Sequence, residues 1–282
     1  MSTHTTPQDA AGFPMPKKQQ IDAVRHVIAV SSAKGGVGKS TVSTNLAFAL
    51  QGLGYRVGLL DADIYGPSIP TMLGVNETPQ PDVMGRIKPV YVHKMPLMSI
   101  GFMVKEEQPL VWRGPLLFQV LQQFFHEVRW TGYGDFLDYL IVDLPPGTGD
   151  IQLSMVQQVD VTGAIIVTTP QDVALVDVRR GVSLFDLAKV PILGVVENMS
   201  HFICPHCSGR TDIFSAGGGR RVAEEKGLPL LGEIPLDPAV RMCGDQGLPI
   251  VRAYPDSPQA QGYLALARSV VDAVARVSAA HA

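Results

Sequence analysis

The sequence predicts an α/β fold in a single domain, with a mostly parallel central sheet and helices on both faces. Three observations carry that expectation. Short apolar runs of strand length recur along the chain, and the stretches between them show helical spacing. The runs are apolar throughout rather than alternating, as strands buried on both faces are. Each run also ends on polar residues, and ligands of such sheets bind beyond the carboxyl ends of the strands.

The first run is Val27-Ile28-Ala29-Val30, which leads into a Gly-rich turn. Residues 40–51 follow as a helix, with Leu46, Ala47 and Leu50 on one face. Residues 56–60 read as a strand ending at Asp61, and residues 139–142 as a strand ending at Asp143. Residues 164–168 run into Thr169-Pro170, and residues 192–196 end at Glu197-Asn198. Residues 116–128 and 173–188 read as helices, and the Pro-rich span 78–96 as a loop with short extended pieces. Residues 1–25 are expected to form a disordered tail and residues 26–282 one domain, without internal repeats.

Composition narrows the class. The chain has 282 residues, 46% of them hydrophobic, enough for one substantial core. A net charge of −3 supplies no general attraction for nucleic acid. Three cysteines, two of them close together as Cys204 and Cys207, argue against a secreted disulfide framework. No apolar run approaches the roughly 20 residues that span a bilayer. The polar first twenty residues lack the apolar core of a signal peptide. A cytoplasmic protein without membrane attachment is expected.

The string Ser32-Ala33-Lys34-Gly35-Gly36-Val37-Gly38-Lys39-Ser40-Thr41 lies between the first strand and the first helix. Glycines there let the backbone wrap a phosphate with its N–H groups inward, and the helix N-terminus adds a positive dipole. Lys39 brings a charge to the outer phosphates, and the Ser40 hydroxyl ligates Mg²⁺. The string reads as a P-loop that binds Mg-ATP, with residues 33–41 in contact with the nucleotide. Asp143 stands where a P-loop enzyme places the acid that orients the metal and its waters. Asp61 and Asp63 end the neighbouring strand, and Asp63 is the better candidate to position water.

Lys34 together with Lys39 resembles the deviant Walker A arrangement of the MinD, ParA and ArsA group. The resemblance implies a homodimer in which Lys34 reaches the partner's nucleotide. Asp61-Ala62-Asp63 resembles the group's switch I, and residues 143–150 (DLPPGTGD) its switch II, placing Gly147 in the nucleotide-binding set. Residues 63–70 (DIYGPSIP), 197–200 (ENMS), Cys204-Pro205-His206-Cys207 and 214–219 (FSAGGG) are similar to the Mrp/ApbC branch, the iron–sulfur cluster carrier ATPases. That likeness runs from about residue 26 to the C-terminal helix. It implies slow hydrolysis of ATP, with Asn198 at the adenine and Pro235 beside it. It also implies a [4Fe–4S] cluster held by Cys204 and Cys207 of two subunits and passed to apo iron–sulfur proteins. Cys243 matches no position of the family and reads as an ordinary buried thiol.

Spacing alone leaves the cysteine pair open. Four thiolates from a symmetric dimer suit a [4Fe–4S] cluster or a structural zinc ion equally. A dithiol redox role fits less well, because no helix N-terminus follows to lower a cysteine pKa. Incidental loop cysteines are the remaining reading, and His206 reads as a solvent-facing loop residue. The alternative function is a MinD- or ParA-like spatial regulator with a zinc ion or no metal. Such a regulator needs a basic amphipathic helix for membrane or a basic surface for DNA. The last helix, residues 259–277, instead places Tyr263, Ala267, Val270, Val274 and Val277 on one face, with Arg268 and Arg276 as its basic residues. That face suits packing on the sheet.

Overall fold

The computed structural model describes residues 18–103, 114–131 and 135–281. In chain order the elements begin with β1 (Val24–Ser31), α1 (Lys39–Gly52), β2 (Val57–Asp61), α2 (Ile69–Met72), β3 (Gln80–Pro81), β4 (Ile87–Lys88), β5 (Val90–Val92) and β6 (Met95–Ser99). Next come α3 (Gly114–His126), β7 (Leu137–Asp143), α4 (Asp150–Gln158), β8 (Gly163–Thr168), α5 (Asp172–Leu187) and β9 (Ile192–Ile203). The chain ends with β10 (Arg210–Thr211), α6 (Gly218–Lys226), β11 (Leu230–Leu236), α7 (Pro238–Asp245), α8 (Ile250–Ala253) and α9 (Pro258–His281).

The sheet order is β10-β9-β8-β1-β7-β2-β6-β5, with β11 also paired to β9. Pairing is parallel from β11 through β6, and antiparallel only where β5 and β10 join. This is the sheet that the unbroken apolar runs imply, since β2, β6 and β8 are buried at every position. One face carries α1, α7, α8 and α9, packed through residues such as Leu46, Leu50, Tyr263 and Val270. The other carries α3, α4, α5 and α6, packed through Phe124, Met155, Phe185 and Val222. Strand β1 sits at the centre, between β7 and β8, so the turn after it opens beyond the carboxyl ends of its neighbours.

The structure differs from the sequence reading in four places. Part of the expected tail is built into the domain: Gln19 bonds the Gln158 carbonyl at 2.9 Å, Ile21 is buried and β1 starts at Val24. Residues 1–17 lie outside the described residues. The Pro-rich span ends in a true sheet strand, β6, because the residue opposite Pro96 on β5 needs no N–H from it. Strand β9 continues past Asn198 to Ile203, where β10 and β11 supply its partners. The C-terminal helix runs to His281, and Tyr263, Ala267, Val270 and Val274 of its predicted face are buried in the core. Among the described residues, no helix is long and apolar enough to cross a membrane.

Candidate functional site

The loop between β1 and α1 turns back on itself at Gly36 and Gly38, both with positive φ. Gly38 is the tighter of the two. Its φ is +79°, and a Cβ there would lie 2.3 Å from Asn198 Nδ2. Asn198, six residues up β9, donates that nitrogen to the Val37 carbonyl at 2.8 Å. The loop is also held from the other side, where the Gly147 N–H donates to the Ser32 carbonyl at 2.9 Å. Lys34 is exposed, and Lys39 is buried.

Asp143, at the end of β7, is fully buried and gathers three side chains of α1. Its Oδ2 accepts from Lys39 Nζ at 2.7 Å and from Ser40 Oγ at 2.6 Å, and its Oδ1 accepts from Ser43 Oγ at 2.6 Å. Lys39 Nζ lies 3.3 Å from Asp63 Oδ2 as well. Two carboxylates thus hold one buried ammonium at the edge of the loop, and phosphate oxygens would compete for the same charge. The donor set fits Mg²⁺: a serine hydroxyl hydrogen-bonded to a buried carboxylate, with a second carboxylate across the lysine.

Asp61 is the register partner of Asp143 across β2 and β7 and is fully buried. Burial first, then the charge of Asp143, pushes Asp61 up to about 7, against the opposing pull of N–H bonds from Ile69 and Asp63 and a bond from Ser99. Asp63, not Asp61, lines the phosphate cavity. That cavity, about 340 Å³, is bordered by Gly35, Gly36, Lys39, Ser40, Asp63 and Pro146. A larger one of about 700 Å³ shares Gly38, Thr41 and Ser68 with it and extends to Asn198, Pro235 and Asp237. The two together have the extent of a nucleotide, with a polar phosphate end and an apolar far end. Of the predicted nucleotide residues, Ala33, Lys34, Val37 and Gly147 border neither cavity, although the Val37 carbonyl and the Gly147 N–H hold the loop through their bonds to Asn198 and Ser32.

The predicted cysteines lie further along β9. Cys204 follows its last residue, and the chain turns through Pro205, His206 and Cys207 into β10. The turn is closed by Cys204 N–H to the Gly209 carbonyl at 3.0 Å and Ser208 N–H to the Cys204 carbonyl at 2.9 Å. Amide N–H groups of His206 and Cys207, and the Cys207 thiol, donate to the Cys204 sulfur and hold it below the ordinary thiol range. This corrects the sequence expectation that nothing would stabilise a thiolate there: the donors are turn amides rather than a helix N-terminus. A Cβ at Gly209 would stand 3.2 Å from Cys207 Sγ, so glycine keeps that sulfur uncrowded. Cys207 and His206 are exposed, and exposed Ile203 and Ile213 flank the turn. Among the described residues no group of three potential metal ligands exists, so the turn presents its two thiols without a third such ligand beside them. Cys243 is buried on α7, where burial raises its thiol pKa.

Sequence reasoning missed Ser43 and Ser99. Ser43 lies one helical turn beyond Ser40, on the same face of α1, and that spacing was the available signal. Ser99 meets Asp61 only through strand register.

A glycine loop between a parallel strand and a helix, with lysine, serine and a strand-end aspartate converging, defines a P-loop nucleotide-binding protein. Comparison with known proteins refines the class. Residues 23–271 match the family model described as ParA: NUBPL iron-transfer P-loop NTPase, and the chain belongs to that family. It is 49% identical over 257 residues to the iron-sulfur cluster carrier protein of Aquifex aeolicus, covering 90% of this chain and 70% of the relative. It is 45% identical over 259 residues to the iron-sulfur cluster transfer protein NUBPL of Mus musculus, covering 91% of this chain and 80% of the relative. Among solved structures it is similar to a nucleotide-binding protein of Archaeoglobus fulgidus in complex with ADP. That match has a TM-score of 0.70 and 36% identity, covering 80% of this chain and 88% of the other. The septum site-determining protein MinD of Pyrococcus horikoshii shares the fold, with a TM-score of 0.66 at 24% identity over 87% of this chain and 95% of the other.

Proposed function

We propose that this protein is an ATP-hydrolysing carrier that holds a [4Fe–4S] cluster between two subunits and hands it to apo iron–sulfur proteins. The observation that carries the proposal is the Cys204–Cys207 turn: two thiols at the surface, one stabilised as thiolate by turn amides, at the end of the strand that also bears Asn198. Two ligands per chain leave a four-thiolate site to a homodimer, with exposed Ile203 and Ile213 available to pack across the axis. The names of the relatives support iron–sulfur over zinc.

The nucleotide chemistry follows from the loop. Loop amides and the α1 dipole receive the phosphates, and Lys39 turns from Asp143 and Asp63 toward them. Asn198 and Pro235, which line the larger cavity, would take the base. Ser40 and, through water, Asp143 would hold Mg²⁺, which neutralises charge developing on the phosphates. Asp63 orients the attacking water, and Lys34 of the opposite subunit stabilises the transition state, so turnover waits on dimer closure. The protein acts in the cytoplasm, with no nucleic acid or membrane as partner. The buried face of α9 supports this over a MinD-like membrane regulator.

The test pairs two variants in a transfer assay with an apo-acceptor. Cys204→Ser should abolish transfer and keep Mg-ATP binding. Lys39→Ala should lose hydrolysis and most nucleotide affinity. Transfer that survives Cys204→Ser, or wild-type hydrolysis by Lys39→Ala, refutes the assignment.

A further inference from the structure

The carboxylate that faces away from the nucleotide cavity is unexplained by the phosphate chemistry. Asp61 is fully exposed to no solvent, lies beside the buried Asp143, and is nonetheless an acid. A second carboxylate in that position is costly unless its oxygens are used. Both are. Oδ2 accepts from the Ser99 hydroxyl at 3.0 Å and from the Ile69 N–H at 3.2 Å. Oδ1 accepts from the Asp63 N–H at 3.2 Å.

These contacts form a chain that ends at the phosphate cavity. The Gly101 N–H donates to Ser99 Oγ at 2.9 Å, which turns the Ser99 hydroxyl hydrogen toward Asp61. Asp61 fixes the backbone of Asp63, whose Oδ1 then accepts the Tyr65 N–H at 3.1 Å while Oδ2 reaches Lys39. The Ile69 bond pins the start of α2, and Ser68, Thr71 and Met72 around it border the nucleotide cavities. Ser99 and Asp61 are partners in the register of β6 and β2 and both are fully buried, so the sheet holds the two side chains against each other. A mere strand-end turn would need only the Asp63 N–H bond; it would not need a buried hydroxyl aimed from the next strand.

We propose that Asp61 and Ser99 are positioning residues for hydrolysis, holding the Asp63 carboxylate and the start of α2 in the geometry that orients the attacking water. The inference rests on the reading of this protein as an ATP hydrolase with Asp63 at the water. Asparagine at position 61 would set an amide N–H₂ against one of three donors, and alanine at position 99 would remove the link to β6. Neither change touches the nucleotide, so ground-state binding is unaffected while the transition-state geometry loosens.

The experiment measures steady-state ATP hydrolysis, Mg-ADP affinity and thermal unfolding for the full chain and for Ser99→Ala, Ser99→Thr and Asp61→Asn. Ser99→Ala is expected to lower kcat about tenfold, the order set by losing one hydrogen bond to a charged group. Its KM and Mg-ADP affinity should stay within about twofold of the parent. Ser99→Thr, which keeps the hydroxyl, should restore kcat, and Asp61→Asn should lower it further than Ser99→Ala does. Should Ser99→Ala not fold, Ser99→Cys keeps the volume with a weaker donor and is expected to show the same loss of kcat. An unchanged kcat in Ser99→Ala, a loss confined to KM and affinity, or a Ser99→Thr as slow as Ser99→Ala would each overturn the proposal while leaving the ATPase reading intact. Absence of turnover in the unaltered protein would overturn both, since there would be no water for Asp63 to orient.

Discussion

Replacing Gly38 with alanine tests whether the loop, Asn198 and the nucleotide form one unit. The added Cβ would sit 2.3 Å from Asn198 Nδ2, inside any real contact distance, on a backbone with φ +79°. An L-residue in the left-handed region costs roughly 1–2 kcal/mol. Relief of the clash requires Asn198 to swing away and give up its 2.8 Å bond to the Val37 carbonyl, a further loss of about 1 kcal/mol. The nucleotide-bound state should therefore be destabilised by roughly 2–3 kcal/mol relative to the unfolded chain. If the free protein keeps the native loop, the loss appears in its unfolding free energy. If the loop relaxes, the loss appears as weaker binding, up to roughly 100-fold for the full amount. Urea unfolding with and without saturating Mg-ADP, together with calorimetric titration, separates the two. A Gly38→Ala protein within about 0.5 kcal/mol of the parent in both measurements would show that Asn198 does not pack on the loop as described.

If Lys34 serves the opposite subunit's nucleotide, as proposed, Lys34→Ala should bind ATP yet hydrolyse it very poorly, and mixing it with Lys39→Ala should restore activity; undiminished turnover by Lys34→Ala alone contradicts the proposal. Asp61 is held near 7 in the folded protein against 3.8 in an unfolded chain, so the folded state binds the extra proton between those values. Stability without nucleotide should therefore fall as pH rises from about 4 to 7, by on the order of 4 kcal/mol at most. Asp61→Asn should flatten that slope, and parallel profiles for the two proteins would refute the assignment. Cys204, held low by turn amides, should react with iodoacetamide at pH 7 well before Cys243, whose thiol burial pushes up. Peptide mass spectrometry reads the order, and faster labelling of Cys243 would reverse the argument.

The residues that sequence made legible are those whose chemistry is local. Gly35 to Ser40 sit between an apolar strand and a helix, and Asp143 ends an apolar run, so both could be placed without tertiary information. Asn198, Pro235 and the cysteine pair came through family likeness, and the structure puts Asn198 and Pro235 on one cavity wall. The second half of β9 was hidden because Asn198, Ser200 and His201 break its apolar pattern, although β10 and β11 bond it. Strand β6 was hidden by Pro96 and by the proline-rich span before it. The Ser99–Asp61 bond joins residues 38 apart in sequence and exists only through the register of two strands, which no local pattern reveals. The low pKa of Cys204 depends on which way two turn amides point, and that too is a matter of backbone conformation.

The central claim is a cluster shared by two subunits through Cys204 and Cys207. Its most direct test is to reconstitute the protein anaerobically with iron and sulfide, record the visible spectrum, and count iron and sulfide per dimer. Thiolate-bound iron absorbs broadly in the visible, whereas zinc is colourless. A cluster shared by two subunits predicts a brown, oxygen-sensitive dimer with about four irons and four sulfides, lost on changing either Cys204 or Cys207 to serine and retained in Cys243→Ser. A colourless protein with stoichiometric zinc, or a cluster that survives loss of both Cys204 and Cys207, would contradict it.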